Sequence, residues 1–349
     1  MKESTILTDR QTDRQTDRQT DVKFSVIMPC YNSEAYVITA LESVLKQSYS
    51  NWELVAINDG STDRTVEILN CYSESDNRIL VLHKENGGYV SAVNKGLEII
   101  TGDYFLLLGS DDYLSENLFL EIYKQIKEIG EYPDSIAFRT RMIIDGELKG
   151  INNYTEFDTI CFEKNINLKE YSEKNPQHSA ILFTRDTSKM FKTKLLGVTR
   201  YYGKFGIAAD GIFSMINFHK AASFLAVPID GYFWTLRTGS VSSTTSIEKK
   251  IDTIINWQRF FVELLRFDTS EITSQEKEYL ITLEHLLVEL SMEFKTAVKY
   301  KRLIKENIRL LKHYKNLGLM NDFNTPGKIV SLSPPLFSVI YKLRNLFKR

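Results

Sequence analysis

The sequence is most informative first for what it does not contain. No uninterrupted apolar run approaches the roughly 18 residues of a membrane-crossing helix, and no apolar stretch near the start predicts a secretory leader. The three cysteines, Cys30, Cys71 and Cys161, form neither a CxxC pair nor a disulfide framework, which predicts a reducing, cytoplasmic setting. No GxGxxG follows the first apolar run, and no GxxxxGK[ST], HExxH, GxSxG or cysteine metal spacing occurs. Dinucleotide binding of the usual type and a P-loop are therefore poor fits. What remains is an ordinary globular composition, 349 residues with 43% hydrophobic and 26% charged. That is enough for two units or one large one.

A net charge of one sign is also nearly missing, at -1, but its distribution is uneven. From Lys295 to Arg349 thirteen residues are basic and two acidic, which leaves an acidic body. Such a body is a poor partner for nucleic acid. The basic end suits either solvent or peripheral contact with the anionic cytoplasmic face of an inner membrane. After Pro334 and Pro335, the residues Leu336, Val339, Ile340, Leu343, Leu346 and Phe347 recur at helical spacing opposite Lys342, Arg344, Lys348 and Arg349. A basic amphipathic helix of that kind lies in a bilayer interface or packs on the protein's own body.

The first 21 residues carry the unit Thr8-Asp9-Arg10-Gln11 in tandem and show no apolar periodicity, which predicts a disordered polar tail. A repeated four-base unit GACA, read in triplets, encodes Asp-Arg-Gln-Thr. A tetranucleotide tract that slips and switches the reading frame is therefore one expectation, as in bacterial genes that vary surface structures; an ordinary polar tail is the other.

From Val22 the pattern alternates strand and helix. Val22–Met28 reads as a strand, and Val37, Ile38, Leu41, Val44 and Leu45 as one helical face. Trp52–Ile57, Arg78–Leu82 and Tyr104–Leu108 read as further strands, with helices over Asp63–Tyr72, around Val90–Ile100, and from Leu118 to a stop at Gly130. Ser135–Ile144 reads as a strand turning at Asp145-Gly146. This rhythm predicts an α/β fold, a mostly parallel sheet covered on both faces, with ligands outside the carboxyl ends of the strands.

Four loops follow those ends. Tyr31 can stack on a base or pack, and Asp59 can read a base or ribose or simply serve its Asp-Gly-Ser turn. Gly87-Gly88 allows close backbone approach or forms a turn. Asp111-Asp112 suits a hard divalent cation, Mg²⁺ or Mn²⁺, shared with a phosphorylated ligand, or caps a helix start.

Together, Val26-Ile27-Met28-Pro29-Cys30-Tyr31-Asn32, Asn58-Asp59-Gly60-Ser61-Thr62-Asp63, Asn86-Gly87-Gly88 with Asn94-Lys95-Gly96-Leu97, and Ser110-Asp111-Asp112 resemble glycosyltransferase family 2, with the GT-A fold. The resemblance runs over about residues 22–240, more loosely past 130. It implies a nucleotide-diphosphate sugar donor, a UDP-sugar first, held by Pro29, Tyr31, Asn32, Asp59, Asn86, Gly87, Asn94, Ser110 and Asp111. It also implies a Mn²⁺ or Mg²⁺ site at Asp111 and Asp112, with Asp112 ranked as the direct ligand, and inverting chemistry with Asp210 as base. Asp210 otherwise caps the helix that follows it. Softer matches are Arg237, for diphosphate oxygens or a surface salt bridge, Ser240 and Ser242, and His178. The sequence departs from the family at Asn58, Val93 and Gly109, and Gly109 leaves only the second half of the acidic motif.

The expected organisation is a tail over 1–21, a GT-A catalytic domain over 22–245 and a helical region over 246–349. The expected activity is transfer onto a hydroxyl of a glycan or lipid-linked acceptor in lipooligosaccharide, capsule or exopolysaccharide. A nucleotidyltransferase on a similar sheet and a non-catalytic glycan-binding relative are the competing readings.

Overall fold

The computed structural model describes residues 21–144, 146–151, 160–164, 170–171, 174, 186–203, 209–236, 246–265, 280, 282–287 and 298–317. The amino-terminal repeat, His178, Arg237, Ser240, Ser242 and the basic stretch 334–349 lie outside them.

Strand and helix alternate through β1 (Phe24–Cys30), α1 (Val37–Leu45), β2 (Trp52–Asp59), α2 (Thr65–Ser75), β3 (Ile79–Lys84), α3 (Tyr89–Leu97) and β4 (Tyr104–Leu107). There follow β5 (Tyr113–Leu114), α4 (Leu118–Ile129), β6 (Ser135–Ile144), β7 (Glu147–Ile151), β8 (Cys161–Lys164), β9 (Lys189–Lys192), α5 (Ala209–Lys220) and β10 (Ser223–Leu236). Helices α6 (Ile247–Leu264) and α7 (Lys301–Asn316) complete the described chain.

One sheet runs in the order β3-β2-β1-β4-β9-β6-β10-β5, with β7 on β6 and β8 on β10. β3, β2, β1 and β4 are mutually parallel, so their carboxyl ends open on one edge. β9 enters antiparallel between β4 and β6, and β10 runs parallel to β6. The fold is thus the mixed, mostly parallel α/β sheet that the alternation predicts.

Period-two alternation sends each strand's residues to two cores. Phe24, Val26 and Met28 of β1 pack with α1 and α4, whereas Ile27 faces α3 and α5. Phe105 and Leu107 of β4 join Ile27, while Leu106 joins Val26. Helix α3 lies close on β1 because Gly96 has no side chain: a Cβ there would stand 2.4 Å from Ile27 Cγ2. The α3/α5 core extends through Ile254, Trp257, Phe260 and Phe261 of α6 to Ile304, Leu311 and Tyr314 of α7. The carboxyl-terminal helices therefore cover the same face as the helix that carries Asp210.

Two features of the strands bear on the site. β2 continues through Asn58 and Asp59, which pair with His83 and Lys84 of β3, so the turn starts at Gly60, whose φ is 73°. Both side chains are buried in the sheet rather than displayed on a turn. β10 is long, but its register on β6 shifts between Val227, Asp230 and Tyr232. This irregularity re-aims the strand, as bulges do, and delivers Tyr232 and Phe233 to Leu114 and Tyr113 of β5.

Candidate active site

The crevice is built from the loop after each parallel strand. After β1, Tyr31 is 51% exposed, a ring presented on the rim. Asn32 adopts φ 48°, a left-handed conformation that Asn tolerates better than most residues. Its Oδ1 accepts from the Thr62 amide at 2.8 Å, and its amide donates to Ser61 Oγ at 3.1 Å. The β1 and β2 loops are thus stitched together. Ser33 Oγ lies 2.7 Å from Ser110 Oγ, which ties the first loop to the acidic corner after β4. Pro29 is the penultimate residue of β1, half-buried beneath this rim.

Asp59 is 3% exposed, and both of its oxygens are engaged. Oδ1 accepts from Lys84 Nζ at 2.5 Å and from the Gly87 amide at 3.0 Å, and Oδ2 accepts from the Gly88 amide at 2.7 Å. Gly88 holds φ 84°, a conformation open to glycine at no steric cost, and this turns its N–H toward the carboxylate. Asp59 therefore organises the Asn86-Gly87-Gly88 loop, with Asn86 and Gly87 exposed at its tip. Its position at a strand end was legible in the sequence; its commitment to two backbone amides was not.

The acidic corner divides its two carboxylates. Asp112 is 5% exposed: Oδ2 accepts from the Tyr232 hydroxyl at 2.5 Å and Oδ1 from the Thr235 amide at 2.8 Å. The Tyr232 hydroxyl in turn accepts from the Gly109 amide at 3.0 Å. Burial and the charges of Asp112 and Asp111 push the Tyr232 hydroxyl well above its ordinary range, so it stays a donor. Asp111 is half-exposed. Of the two carboxylates, Asp112, ranked first as a direct ligand, is held by β10, and Asp111 is the more exposed. Gly109 is crowded: a Cβ there would lie 2.5 Å from Asp112 Oδ2. The missing acid of the motif thus has its counterpart in space already filled by the Asp112–Tyr232 bond.

Among the described residues no group of three or more His, Cys, Asp or Glu side chains gathers as a metal cage. The donor set at this corner suits a different arrangement. Mg²⁺ and Mn²⁺ need few protein carboxylates when substrate phosphates and water supply the other oxygens, and one half-exposed carboxylate backed by a second meets that need.

Asp210 is the second residue of α5, and its Oδ1 accepts from the next amide, Gly211, at 2.8 Å. A carboxylate in the first turn is favoured by the helix dipole. Asp210, Asp186, Asp111 and Asp112 all act on one side chain, Tyr89 in the first turn of α3. Burial and these four charges push its hydroxyl well above its ordinary range. The acidic corner and the start of α5 thus both lie within electrostatic reach of Tyr89.

Asn94 is placed differently from the expectation. Its Nδ2 donates to the Tyr201 carbonyl at 2.9 Å and its Oδ1 accepts from the Tyr201 amide at 2.8 Å. Both ends of the amide are thereby committed to the 199–203 segment. Tyr89, Asp186 and Lys189 were not singled out from the sequence, and Tyr232 and Thr235 lie in the family-like segment that ends at Arg237 but had no role of their own. The signal for Tyr89 was its place directly after Gly87-Gly88; Asp186 and Lys189 follow no local motif.

Residues 25–197 match the family model for glycosyl transferase family 2. Glycosyltransferase GlyG of Streptococcus pneumoniae serotype 4 is 28% identical over 290 residues, which cover 80% of this chain and 90% of GlyG. A poly(ribitol-phosphate) beta-glucosyltransferase of Bacillus spizizenii is 27% identical over 237 residues, covering 65% of this chain but 34% of that protein. Among solved structures, residues 1–349 of S. aureus TarS in complex with UDP-GlcNAc superpose with a TM-score of 0.61 at 22% identity, over 86% of this chain and 94% of that one. At that identity the likeness is one of fold. Among the described residues no helix is long and apolar enough to cross a membrane.

Proposed function

The chain belongs to glycosyltransferase family 2, and on that premise we propose that it inverts the anomeric centre of a nucleotide-diphosphate sugar, a UDP-sugar first, while transferring it to a hydroxyl of a bacterial cell-surface glycan. The observation that carries this reading is the acidic corner at the carboxyl edge of the parallel strands, where Tyr232 and Thr235 fix the buried Asp112 and leave the more exposed Asp111 beside it.

In this reading Tyr31 offers its exposed ring to the base. The loop that Asp59 holds together closes on the nucleoside. Asp111, with Asp112 fixed behind it, would hold a divalent cation, which neutralises charge on the departing diphosphate. Asp210 takes the proton of the acceptor hydroxyl. The acceptor oxygen forms its bond to the anomeric carbon as the bond from that carbon to the diphosphate oxygen breaks, and the electron pair leaves with the nucleoside diphosphate.

Asp210→Asn tests the assignment. A general base contributes about 10²–10⁴-fold, so release of UDP from UDP-GlcNAc or UDP-glucose with Mn²⁺ is expected to fall by that factor while donor affinity by calorimetry persists. Undiminished turnover in Asp210→Asn would refute the role. Mass spectrometry of the products tests the reaction class: UDP marks sugar transfer, and free pyrophosphate would mark nucleotidyl transfer instead.

A further inference from the structure

Beside the acidic corner stand two aromatic rings that the reading above leaves unused. Tyr113 of β5 and Phe233 of β10 pair across antiparallel strands. Their rings stack face to face, with centroids 4.7 Å apart and planes within 3°. Both residues are half-buried. Their strand neighbours Leu114 and Tyr232 belong to the α1/α4 core, but among the described residues neither ring of the stack belongs to, or packs on, any hydrophobic core. The cross-strand stack holds the two-residue β5 against β10, and that uses only one face of each ring.

The register places this pair. Phe233 lies opposite Arg141 of β6. Ala137 of β6 is in the α3/α5 core, so period-two alternation carries Arg141 to the same side of the sheet. Tyr232 faces the α1/α4 core, so its neighbour Phe233 also takes the α5 side, and α5 carries Asp210 in its first turn. Tyr113 directly follows Asp112, and Tyr232 and Thr235, on either side of Phe233, both bond to Asp112. Next to the rings, Arg141 Nη2 lies 2.8 Å from Asp230 Oδ1, and the Asp230 side chain is still 40% exposed. Along the sheet, Tyr31 after β1 and the pair on β10 and β5 lie on opposite sides of β4, whose end carries the acidic corner.

We propose that the Tyr113–Phe233 pair is a subsite for the acceptor: one pyranose of the acceptor glycan lays its apolar face on these rings, and the Arg141–Asp230 pair bonds to its hydroxyls. This rests on the chain transferring a sugar to a glycan hydroxyl. A pyranose has a flat face of C–H groups and a rim of hydroxyls that both donate and accept. An aromatic surface suits the first, and a guanidinium beside a carboxylate supplies a donor and an acceptor for the second. With the base on Tyr31 and the diphosphate at the acidic corner, the rings lie on the side away from the nucleoside. They also share the α5 side of the sheet with Asp210, so a sugar resting there approaches from the side of the proposed base.

The test is saturation-transfer NMR on the full-length chain with UDP and Mn²⁺ present, so that the donor's place is filled. The probes are the methyl β-glycosides of glucose, galactose and N-acetylglucosamine. At least one is expected to receive saturation on its ring protons. Its affinity is expected to fall about tenfold in Phe233→Leu, the upper end of what one stacked ring contributes. Phe233→Tyr keeps the ring and is expected to bind the probe as wild type does. Tyr113→Leu is expected to match Phe233→Leu and stands in if that variant does not fold. Calorimetry of UDP and UDP-GlcNAc with Mn²⁺ on the same variants is expected to show both affinities retained. No saturation of any probe in wild type, undiminished probe binding in the leucine variants, or a parallel loss of UDP affinity would overturn the proposal. A selective loss of UDP-GlcNAc affinity would put the donor's sugar on the rings and overturn the acceptor assignment. The two readings fail separately: no UDP released from any donor removes the transferase reading, whereas UDP release with probe binding unchanged in the leucine variants removes only the ring subsite.

Discussion

Tyr232→Phe removes one oxygen atom from the interior and severs two of the bonds that hold the acidic corner to β10. The hydroxyl donates to Asp112 Oδ2 at 2.5 Å and accepts from the Gly109 amide at 3.0 Å. The ring is fully buried, so no water replaces either contact. A hydrogen bond to a charged group contributes about 1.5–3 kcal/mol, and a buried amide left unpaired costs about 1–3 kcal/mol. The ring itself still fills its space against the core, so no cavity term is added. The expected loss is about 3 kcal/mol, a factor of about 10² in the folded-to-unfolded ratio. Urea unfolding followed by circular dichroism reads it as a lower midpoint at unchanged slope. Calorimetry with UDP-GlcNAc and Mn²⁺ is expected to show weaker donor binding, because Asp112 loses its Tyr232 bond and Asp111 the support behind it. A midpoint and a donor affinity both equal to wild type would show that β10 does not hold this corner, and the division of labour between Asp111 and Asp112 would go with it.

Two further perturbations follow from the same kind of accounting. Asp59→Asn breaks the ion pair with Lys84 and sets an amide N–H₂ against one of the Gly87 and Gly88 amides; removing one partner of a buried pair predicts a loss of about 3 kcal/mol in urea unfolding, with a matching loss of donor affinity as the loop loosens. Far from the crevice, Glu53 joins β1 to the approach to β4. Burial raises its carboxyl, but hydrogen bonds from Lys23, Ser25 and Thr101 outweigh that and pull it down to about 2. Its folded value lies below the ordinary 4.5, so its contribution is complete above that pH and drains away as pH falls toward 2. Calorimetric melting between those limits is expected to drop more steeply for wild type than for Glu53→Gln, and parallel curves would count against the clamp.

Sequence alone was sufficient for the alternation of β1 to β4 with α1 to α3, because each of those elements is specified within itself: apolar residues at period two or 3.6, broken by short polar loops. The same local character put Tyr31, Asp59, Asn86–Gly88 and Asp111-Asp112 at strand ends, and a parallel sheet sends all such ends to one edge. Which polar atom then bonds to which was decided elsewhere. Asp112 is buried as a structural carboxylate because a register irregularity in β10 brings Tyr232 and Thr235 to it from more than a hundred positions away. Asn94 belongs to Tyr201 because α3 and the 199–203 segment cover the same face. The 186–188 turn and Phe191 of β9 come against α5 by packing that no local pattern announces. A one-dimensional pattern reports which face a side chain takes. It carries no record of the distant backbone that arrives there, and in a water-poor interior that arrival determines whether a carboxylate braces the fold or remains available for chemistry.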